Sequence, residues 1–329
     1  MRGFLNSAGE TVYLECDLDW VADLLRAAAP GEWRAEGDAD TADVRLVVES
    51  SRAAFPNARA MVLTRGAWLQ DDAVVLEDAC ATGFTIRLEP RDGRLLIRAR
   101  YRPSFRDTAG KILLSSRFRL VATAVLLNYP LLWWAGVHGR APLHASSVAT
   151  SSGPALLAGP GGVGKSTLVA RQLAAGHRAA SDNLVVSDGR EAFGLAEPLR
   201  LAGGRGGRRA PHGRRESGWP VERASLSRPD RVVVVRLGDA TAVSCVETPP
   251  SVAARSLVTG TLMAGELRRY WAYASTLAEG TGLGPAQPDV AAVADQLTRA
   301  LPCFVATLRR GGLESLDEVL ERARSGVSA

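Results

Sequence analysis

Lysine is almost absent from this 329-residue sequence, which carries it at two positions, Lys111 and Lys165. Nearly all of its 40 lysines and arginines are therefore arginines, a bias that is typical of a GC-rich genome. The broad planar guanidinium of arginine cannot replace a compact ammonium in a tight pocket. Each retained lysine is thus a candidate functional residue, and Lys165 lies within the string GPGGVGKST.

Other absences narrow the class of protein. The four cysteines lie far apart with no Cys-x-x-Cys pair, which predicts neither a zinc cluster nor a disulfide framework. The first twenty residues contain no apolar stretch behind a basic end, as a secretory signal would. A net charge of +5 is too small to indicate nucleic-acid binding unless it is concentrated in one place. We therefore expect a cytoplasmic protein in a reducing compartment that binds no nucleic acid.

Residues 1–115 predict a small, β-rich α+β domain that recognises a substrate or partner. One helix is expected through Trp20 and Leu25. After the fourth of the strand-like runs, Arg91-Asp92-Gly93-Arg94 is typical of a hairpin turn. The strand-like runs are 44–48, 60–64, 73–76, 84–88 and 95–100.

Residues 116–137 are the most apolar part of the chain and predict a connecting helix. Their length is close to that of a membrane span. Asn128 and Pro130 interrupt the stretch, and a proline inside a helix removes a backbone hydrogen bond. We therefore expect a break there, burial between two domains, and no membrane span.

Residues 138–329 alternate strand and helix patterns, which predicts a nucleotide-binding α/β domain of three layers. The expected helix after the glycine-rich string ends at Gly176, a common residue at helix C-termini. The patterned elements are strands at 143–149, 155–158, 177–181 and 231–237 and the helix at 167–175.

The string from Gly159 to Ser166 matches the P-loop pattern GxxxxGK[ST]. Its glycines let consecutive backbone N–H groups surround an anion, and the helix beginning at Lys165 adds its positive end. Lys165 would reach the β- and γ-phosphates, while the Ser166 hydroxyl would coordinate Mg²⁺. The pattern predicts ATP and Mg²⁺ as cofactors, bound by Gly159, Gly161, Gly162, Gly164, Lys165, Ser166 and Thr167.

Phosphoryl transfer also needs a carboxylate beside the phosphates. Two candidates follow apolar strands, Asp182 and Asp239. Asp182 ends the strand after the P-loop helix, so in a parallel sheet it would emerge at the same carboxyl edge as the loop. Asp239 sits in a Gly-Asp pair, which is also typical of an ordinary turn. We favour Asp182, as a catalytic residue and, with Ser166, as a metal ligand.

Three features together resemble the catalytic domain of the bacterial HPr kinase/phosphorylase family and its diverged relatives. They are His144 in LHASSVA, the P-loop lysine, and the segment GHRAASDN that ends in Asp182 and Asn183. The resemblance covers about residues 138–240. It implies His144 near the transferred phosphoryl group, Lys165 and Ser166 on the phosphates and Mg²⁺, and Asp182 near the acceptor hydroxyl or the metal.

The resemblance implies an ATP-dependent kinase that acts on a hydroxyl of a peptide, a protein or a small molecule. Many diverged relatives belong to natural-product pathways, so a ribosomally made peptide is one candidate acceptor. Asn183 replaces the second of the paired aspartates of the family, and because an amide accepts no proton at neutral pH, reverse phosphorolysis is the activity most weakened. Glu197 is either a further acid on the metal side or a surface glutamate.

Glycine and arginine dominate residues 203–220, which predict neither helix nor strand. Three interpretations stay open: a lid whose arginines meet phosphates or an acidic peptide, a nucleic-acid contact, or a solvated loop without a role. The position after the nucleotide-site strands favours the lid. Only Trp219 accompanies the arginines, so the aromatic interleaving of a single-strand binder is missing. The arginines are Arg205, Arg208, Arg209, Arg214 and Arg215.

Other functions remain as alternatives to the kinase. An ATP-binding scaffold or regulator would need no transfer chemistry and would tolerate Asn183. A GTPase is excluded, because the guanine motif NKxD requires a lysine that neither Lys111 nor Lys165 supplies. ATP-driven transport is disfavoured by the lack of an LSGGQ-like signature. A homo-oligomer is possible for either remaining function.

Overall fold

A computed structural model describes residues 1–57, 60–201, 208–209, 215–238 and 243–325 of the chain. Over these residues the protein is mixed α/β, which confirms the predicted class. The helices are α1 (Asp19–Ala28), α2 (Phe105–Leu113), α3 (Ser115–Thr123), α4 (Tyr129–Val137), α5 (Lys165–Ala174), α6 (Pro250–Met263), α7 (Arg268–Thr281), α8 (Val290–Ala300) and α9 (Leu316–Ser325).

Eight strands within residues 1–101 form one sheet, the N-terminal sheet. They are β1 (Arg2–Ser7), β2 (Glu10–Cys16), β3 (Val44–Glu49), β4 (Met61–Thr64), β5 (Ala67–Gln70), β6 (Ala73–Leu76), β7 (Phe84–Arg91) and β8 (Arg94–Tyr101). Their order is β1-β2-β3-β8-β7-β6-β5-β4, and only β3 runs parallel to its neighbours among these strands. The predicted hairpin turn joins β7 to β8, with Asp92 and Gly93 in the left-handed region at φ +50° and +74°.

Helices pack on the N-terminal sheet and complete its core. Leu25 of α1 and Trp133 of α4 are buried together with Ile86 and Ile97 of the sheet. Leu277 joins the same core from α7, which belongs to the second half of the sequence and packs against β4, β5 and β6. The first hundred residues therefore depend on a helix that follows them by more than 160 positions.

The connecting helix runs without interruption from Ser115 to Val137, so the predicted break is wrong. In its place residues Ala124–Asn128 form a π-helical turn, in which the N–H of Tyr129 donates to the carbonyl of Ala124. Pro130 follows directly after this turn, as the second residue of α4. The run is long and apolar enough to cross a membrane by composition, with a mean hydropathy of 1.5, and 67% of its most apolar window is buried inside the protein.

The second half of the chain builds three further sheets. Their strands are β9 (Ala141–Leu143), β10 (Ser146–Thr150), β11 (Gly153–Ala158), β12 (Ala179–Ser181), β13 (Val185–Ser187), β14 (Ala192–Gly194), β15 (Leu199–Leu201), β16 (Arg208–Arg209), β17 (Arg215–Ser217), β18 (Leu226–Ser227), β19 (Arg231–Gly238), β20 (Ser244–Glu247) and β21 (Cys303–Arg309). The central sheet has the order β12-β10-β11-β19-β21-β20, and the two smaller sheets are β18-β14-β13-β9 and β15-β17-β16.

Helices cover both faces of the central sheet. Val232 and Val234 of β19 are buried with residues of α6 and α8, whereas Val233 and Val235 are buried with residues of α5 and α9. Successive side chains of a strand point to opposite faces, so a strand that is covered on both sides needs an unbroken apolar run. The four consecutive valines of β19 meet this requirement.

The strand predicted at 143–149 is wrong in one respect: it is two strands, β9 and β10, that belong to different sheets. The chain turns between them at His144, where the N–H of Ala145 donates to the carbonyl of Leu143 over 2.9 Å. A hydrogen bond between residues two apart closes a γ-turn, which ends one strand and redirects the next. His144 therefore occupies a turn rather than a strand.

Short strands also occur within the arginine-rich segment, contrary to the prediction of no regular structure. Arg215–Ser217 pairs with both Leu199–Leu201 and Arg208–Arg209. The backbone groups of Leu199–Leu201 supply hydrogen-bonding partners that composition cannot reveal. Arg205 and Arg214 lie outside the described residues, as does Asp239.

Candidate active site

The glycine loop, residues 159–164, joins β11 of the central sheet to α5. Gly159 has a φ of +137°, and a Cβ at this position would lie 2.7 Å from the carbonyl oxygen of Val235. No larger residue can bring the loop so close to β19. The loop is thereby held against the carboxyl edge of the two neighbouring parallel strands β11 and β19.

The N-terminus of α5 lies at the end of this loop without a side-chain cap. Its N-cap is Gly164, at φ +105°, which has no side chain to accept a hydrogen bond from the first turn. The first N–H groups of a helix have no partner within the helix, and together with the helix dipole they favour a bound anion. A ten-residue helix thus presents its positive end to the site.

Lys165 is buried, and its ammonium is held by neighbouring acceptors. Nζ donates to the carbonyl of Gly159 over 2.5 Å and to that of Pro160 over 3.1 Å, and it lies 3.1 Å from His144 Nε2. An ammonium has donors only, so in a hydrogen bond from Lys165 the Nε2 atom of His144 is the acceptor. Lys165 and His144, each predicted as a site residue, are therefore in direct contact.

Thr261 of α6 positions His144. The backbone N–H of His144 donates to Thr261 Oγ1 over 2.9 Å, and the same hydroxyl donates to the carbonyl of Leu257. Thr261 is fully buried. The γ-turn that carries the imidazole is thus tied to α6.

Asp182 reaches the site from the end of β12, as predicted, although the route differs. β10 lies antiparallel between β12 and β11, so β12 and β11 run in the same direction without being neighbours. Asp182 is 2% exposed, and its Oδ2 accepts the backbone N–H of Arg200 over 2.9 Å. Its own carbonyl accepts the hydroxyl of Ser146 over 2.7 Å and that of Ser166 over 3.5 Å.

These residues surround a pocket of about 100 Å³ at the N-terminus of α5. This volume suits a phosphate group rather than a whole nucleotide. Every predicted site residue except Gly159 lines the pocket, and Gly159 contributes the carbonyl that holds Lys165. The lining residues are His144, Gly161, Gly162, Gly164, Lys165, Ser166, Thr167, Asp182, Asn183 and Arg200.

A buried charge network adjoins the pocket. Asn183 Nδ2 donates to Glu197 Oε2 over 3.0 Å, and Arg200 forms ion pairs with Glu197 (3.2 Å) and Glu266 (2.9 Å). Burial raises the pKa of the Glu197 carboxyl, and the Arg200 guanidinium and the Asn183 amide oppose this effect. Glu197 is therefore a buried network residue and not a surface glutamate.

The sequence did not point to Arg200 or Glu266. Neither residue belongs to a motif, and Arg200 sits in the ordinary strand β15. A buried arginine is recognisable only once its carboxylate partners are placed around it. His177, by contrast, pairs with Asp317 of α9 at 3.3 Å and does not line the pocket.

The pocket has ligands for Mg²⁺ only if phosphate oxygens complete the set. Among the residues that the structure describes, no group of three or more His, Cys, Asp or Glu side chains is arranged to hold a metal. Mg²⁺ commonly uses one or two carboxylates together with substrate phosphates and waters. Ser166 and Asp182 beside an uncapped helix N-terminus fit that pattern.

The sequence of this chain matches no protein-family model and no curated protein. What the site does must therefore be inferred from its own residues. Those residues combine an anion-binding helix end, a buried ammonium and a buried carboxylate in one pocket.

Proposed function

We propose that the chain is an ATP-dependent kinase that transfers the γ-phosphoryl group to a hydroxyl of a peptide, a protein or a small molecule. One observation carries the proposal: Lys165, Ser166 and Asp182 line one pocket at the uncapped N-terminus of α5. This combination suits phosphoryl transfer, in which catalysis consists mainly of positioning and charge stabilisation.

The same residues support a P-loop domain of the HPr kinase/phosphorylase type within residues 138–329. Helices on both faces of the central sheet are consistent with three layers. We further propose that residues 1–115 form the recognition domain and that 116–137 connect the two. A cytoplasmic location and a peptide or protein acceptor complete the proposal, with no nucleic acid and no membrane span.

In this kinase the glycine loop and the N-terminus of α5 bind the phosphates of ATP. Lys165 donates to phosphate oxygens in exchange for the carbonyls of Gly159 and Pro160 that it now contacts. Ser166 and Asp182 are the residues that would hold Mg²⁺. The bound ion supplies charge neutralisation on the phosphates.

Asp182 orients the acceptor hydroxyl and accepts its proton as the hydroxyl oxygen bonds to the γ-phosphorus and the bond to the β-phosphate oxygen breaks. The N–H of Arg200 holds Oδ2 of this carboxylate, which keeps it in one orientation. His144 accepts from Lys165 and fixes the direction of the ammonium. Each of these groups is buried, so its electrostatic effect is larger than in water.

A nucleotide-binding scaffold is the second candidate, and Asn183 is the observation that favours it. Its amide donates to Glu197, so this side chain is engaged in the buried network. A site with one carboxylate in place of two suffices to bind ATP with Mg²⁺ but is poorer in acid–base groups.

The test follows the γ-phosphate of ³²P-labelled ATP with Mg²⁺ and serine-containing peptides. Label on the peptide supports the kinase, whereas label released as inorganic phosphate indicates an ATPase. Nucleotide binding without either product supports the scaffold. Lys165→Ala is the control, because it removes the ammonium from the pocket and should abolish both products and weaken nucleotide binding.

A further inference from the structure

A second and larger cavity lies next to the pocket of the glycine loop. It has a volume of about 400 Å³ and is lined by α1, by the connecting helix, and by residues on either side of Glu266. Its apolar wall comes from Leu24, Leu120, Leu132 and Leu267. We call it the apolar cavity. Its size is within the range of sites that bind small ligands or side chains.

The two cavities share one residue, Arg200, which lines both of them. Glu197 and Glu266, its ion-pair partners, line the apolar cavity as well. The apolar cavity therefore has a charged end, and that end is where Asp182 is held by the backbone of Arg200. A molecule in the apolar cavity would have its polar end beside the carboxylate proposed to act on a hydroxyl.

Packing alone does not explain two features of this cavity. Residues Ala124–Asn128 form a π-helical turn, and both its first and its last residue line the cavity. Such turns are rare and are often found at functional sites. The Oδ1 atom of Asn128 is buried, yet none of the described residues donates a hydrogen bond to it. A buried acceptor without a donor costs free energy unless a ligand supplies one.

At Arg200 the buried group that lacks a partner among the described residues is a donor. Its Nε–H is buried and, within the described ranges, no acceptor receives it, although the other guanidinium nitrogens form ion pairs. A ligand in the cavity would thus have to offer a hydrogen-bond donor to Asn128 and an acceptor to Arg200. A peptide backbone carries both groups, an N–H and a carbonyl.

We propose that the apolar cavity binds a bulky apolar side chain of a peptide acceptor, close in sequence to the serine or threonine that is phosphorylated. This inference rests on the proposed kinase and specifies its substrate. The apolar wall takes the side chain, and the adjoining backbone pairs with Asn128 and Arg200. The hydroxyl then faces Asp182.

The surface outside the cavity fits an acceptor that continues as a chain. Leu113 and Leu114, at the junction of α2 and α3, are 79% and 54% exposed. They precede Ser116, which lines the cavity. These two leucines are apolar surface that a bound chain would cover. It extends the binding surface beyond the reach of a small molecule.

The experiment uses fluorescein-labelled hexapeptides with a single serine. In the reference peptide every position other than the serine is glycine. In each of four further peptides, one glycine is replaced by leucine, at the first or second position before or after the serine. Binding to the full chain is measured by fluorescence anisotropy, with and without ATP. We expect at least one leucine peptide to bind about 10- to 100-fold more tightly than the glycine peptide, as burial of one leucine side chain allows.

Two variants fill the cavity and one serves as the matched control. Ala27→Leu and Leu120→Phe add volume at half-buried positions that line it. Ala254→Leu makes the same change as the first variant on α6, at a half-buried alanine that is not among the lining residues. The leucine advantage should fall at least tenfold in the filled variants and persist in the control, with circular dichroism melts that confirm folding of all three.

Equal binding of all peptides, no binding of any, or a leucine advantage that survives both filled variants would overturn the inference. The kinase proposal is judged separately, by transfer of labelled phosphate to the same peptides. Transfer without a leucine preference leaves the kinase and removes the cavity as its specificity site. A leucine preference in binding without transfer supports the cavity and contradicts the kinase.

Discussion

The two lysines of the chain lie in opposite surroundings. Lys111 of α2 packs against aromatic rings, with Nζ 3.5 Å from the ring centre of Trp20 and 5.0 and 5.5 Å from those of Tyr101 and Phe118. Burial lowers the pKa of this ammonium, and the ring faces attract the cation and oppose that effect. Lys165 instead contacts carbonyl oxygens and an imidazole nitrogen at the glycine loop.

The comparison shows what rarity of a residue type can reveal. Both positions use the compact shape of an ammonium, one over ring faces and the other among hydrogen-bond acceptors. Scarcity alone therefore marks a position where a cation is used but not the purpose of the cation. The adjacent glycines, and not the rarity of lysine, single out Lys165 as the proposed phosphate ligand.

The largest expected effect comes from removing the cation at the glycine loop. Lys165→Ala should weaken binding of a fluorescent ATP analogue by about 10- to 150-fold, as loss of a charged hydrogen bond predicts, and ATP turnover should become undetectable. Lys165→Arg should not restore either, because the planar fork does not fit the space between Gly159, Pro160 and His144. Unchanged ATP affinity and turnover in Lys165→Ala would contradict the assignment of residues 159–166 as a P-loop.

Asp182→Asn should separate catalysis from binding within the same pocket. A lost base lowers kcat by roughly 10² to 10⁴, or about 2.7 to 5.5 kcal/mol of barrier, while ATP still binds. Steady-state turnover together with nucleotide titration measures both effects. Asp239→Asn is the control and should remain close to wild type; the opposite ranking would make Asp239 the catalytic carboxylate. Asn183→Asp is a companion variant. If phosphorolysis appears in it, the second carboxylate is the group that the wild-type chain lacks for this reverse reaction.

Arg200→Leu tests a third cation, which is buried among carboxylates and not beside aromatic rings or carbonyl oxygens. Loss of Arg200 leaves Glu197 buried without its counter-ion. The free energy of unfolding, measured in urea, should therefore fall by about 3–5 kcal/mol. Arg178→Leu breaks an exposed pair with Glu222 and should cost less than about 1 kcal/mol. Similar losses in the two variants would mean that the Arg200 network does not stabilise the fold.

The smallest effect is expected at the aromatic site. Lys111→Met should lower the free energy of unfolding by about 0.5–2 kcal/mol, the range for a cation over aromatic faces, and leave ATP turnover unchanged. Lys111→Arg should retain most of the stability, since arginine also stacks on rings. Urea melts and turnover assays measure both quantities in these variants. The same assays on Lys165→Ala and Lys165→Arg show how the two lysines differ. A turnover defect in Lys111→Met would contradict a purely structural role.

Local signals in the sequence predicted the parts of the fold that local geometry decides. The hairpin at Asp92-Gly93 follows from the left-handed conformation that its two-residue turn requires, and the loop before Lys165 follows from its glycines. The expected convergence of His144, Lys165 and Asp182 also appears in the structure.

Features that depend on distant partners could not be predicted in this way. β1 and β2 pair with each other, and β2 then pairs with β3, but their short mixed runs carry weak periodicity. The π-helical turn before Pro130 carries no signal in its own residues, and its middle residues lie in a core built from distant parts of the chain. Arg200 acquires its importance from Glu266, which lies 66 positions further along the chain.

Arg200 also connects the occupants of the two cavities that it lines. An anion at the glycine loop and a peptide in the apolar cavity would both act on the position of this one guanidinium. Thermodynamic linkage then requires reciprocity: the factor by which ATP changes affinity for the acceptor equals the factor by which the acceptor changes affinity for ATP. A single buried side chain would in this way make the binding of the two substrates cooperative, whichever of them binds first.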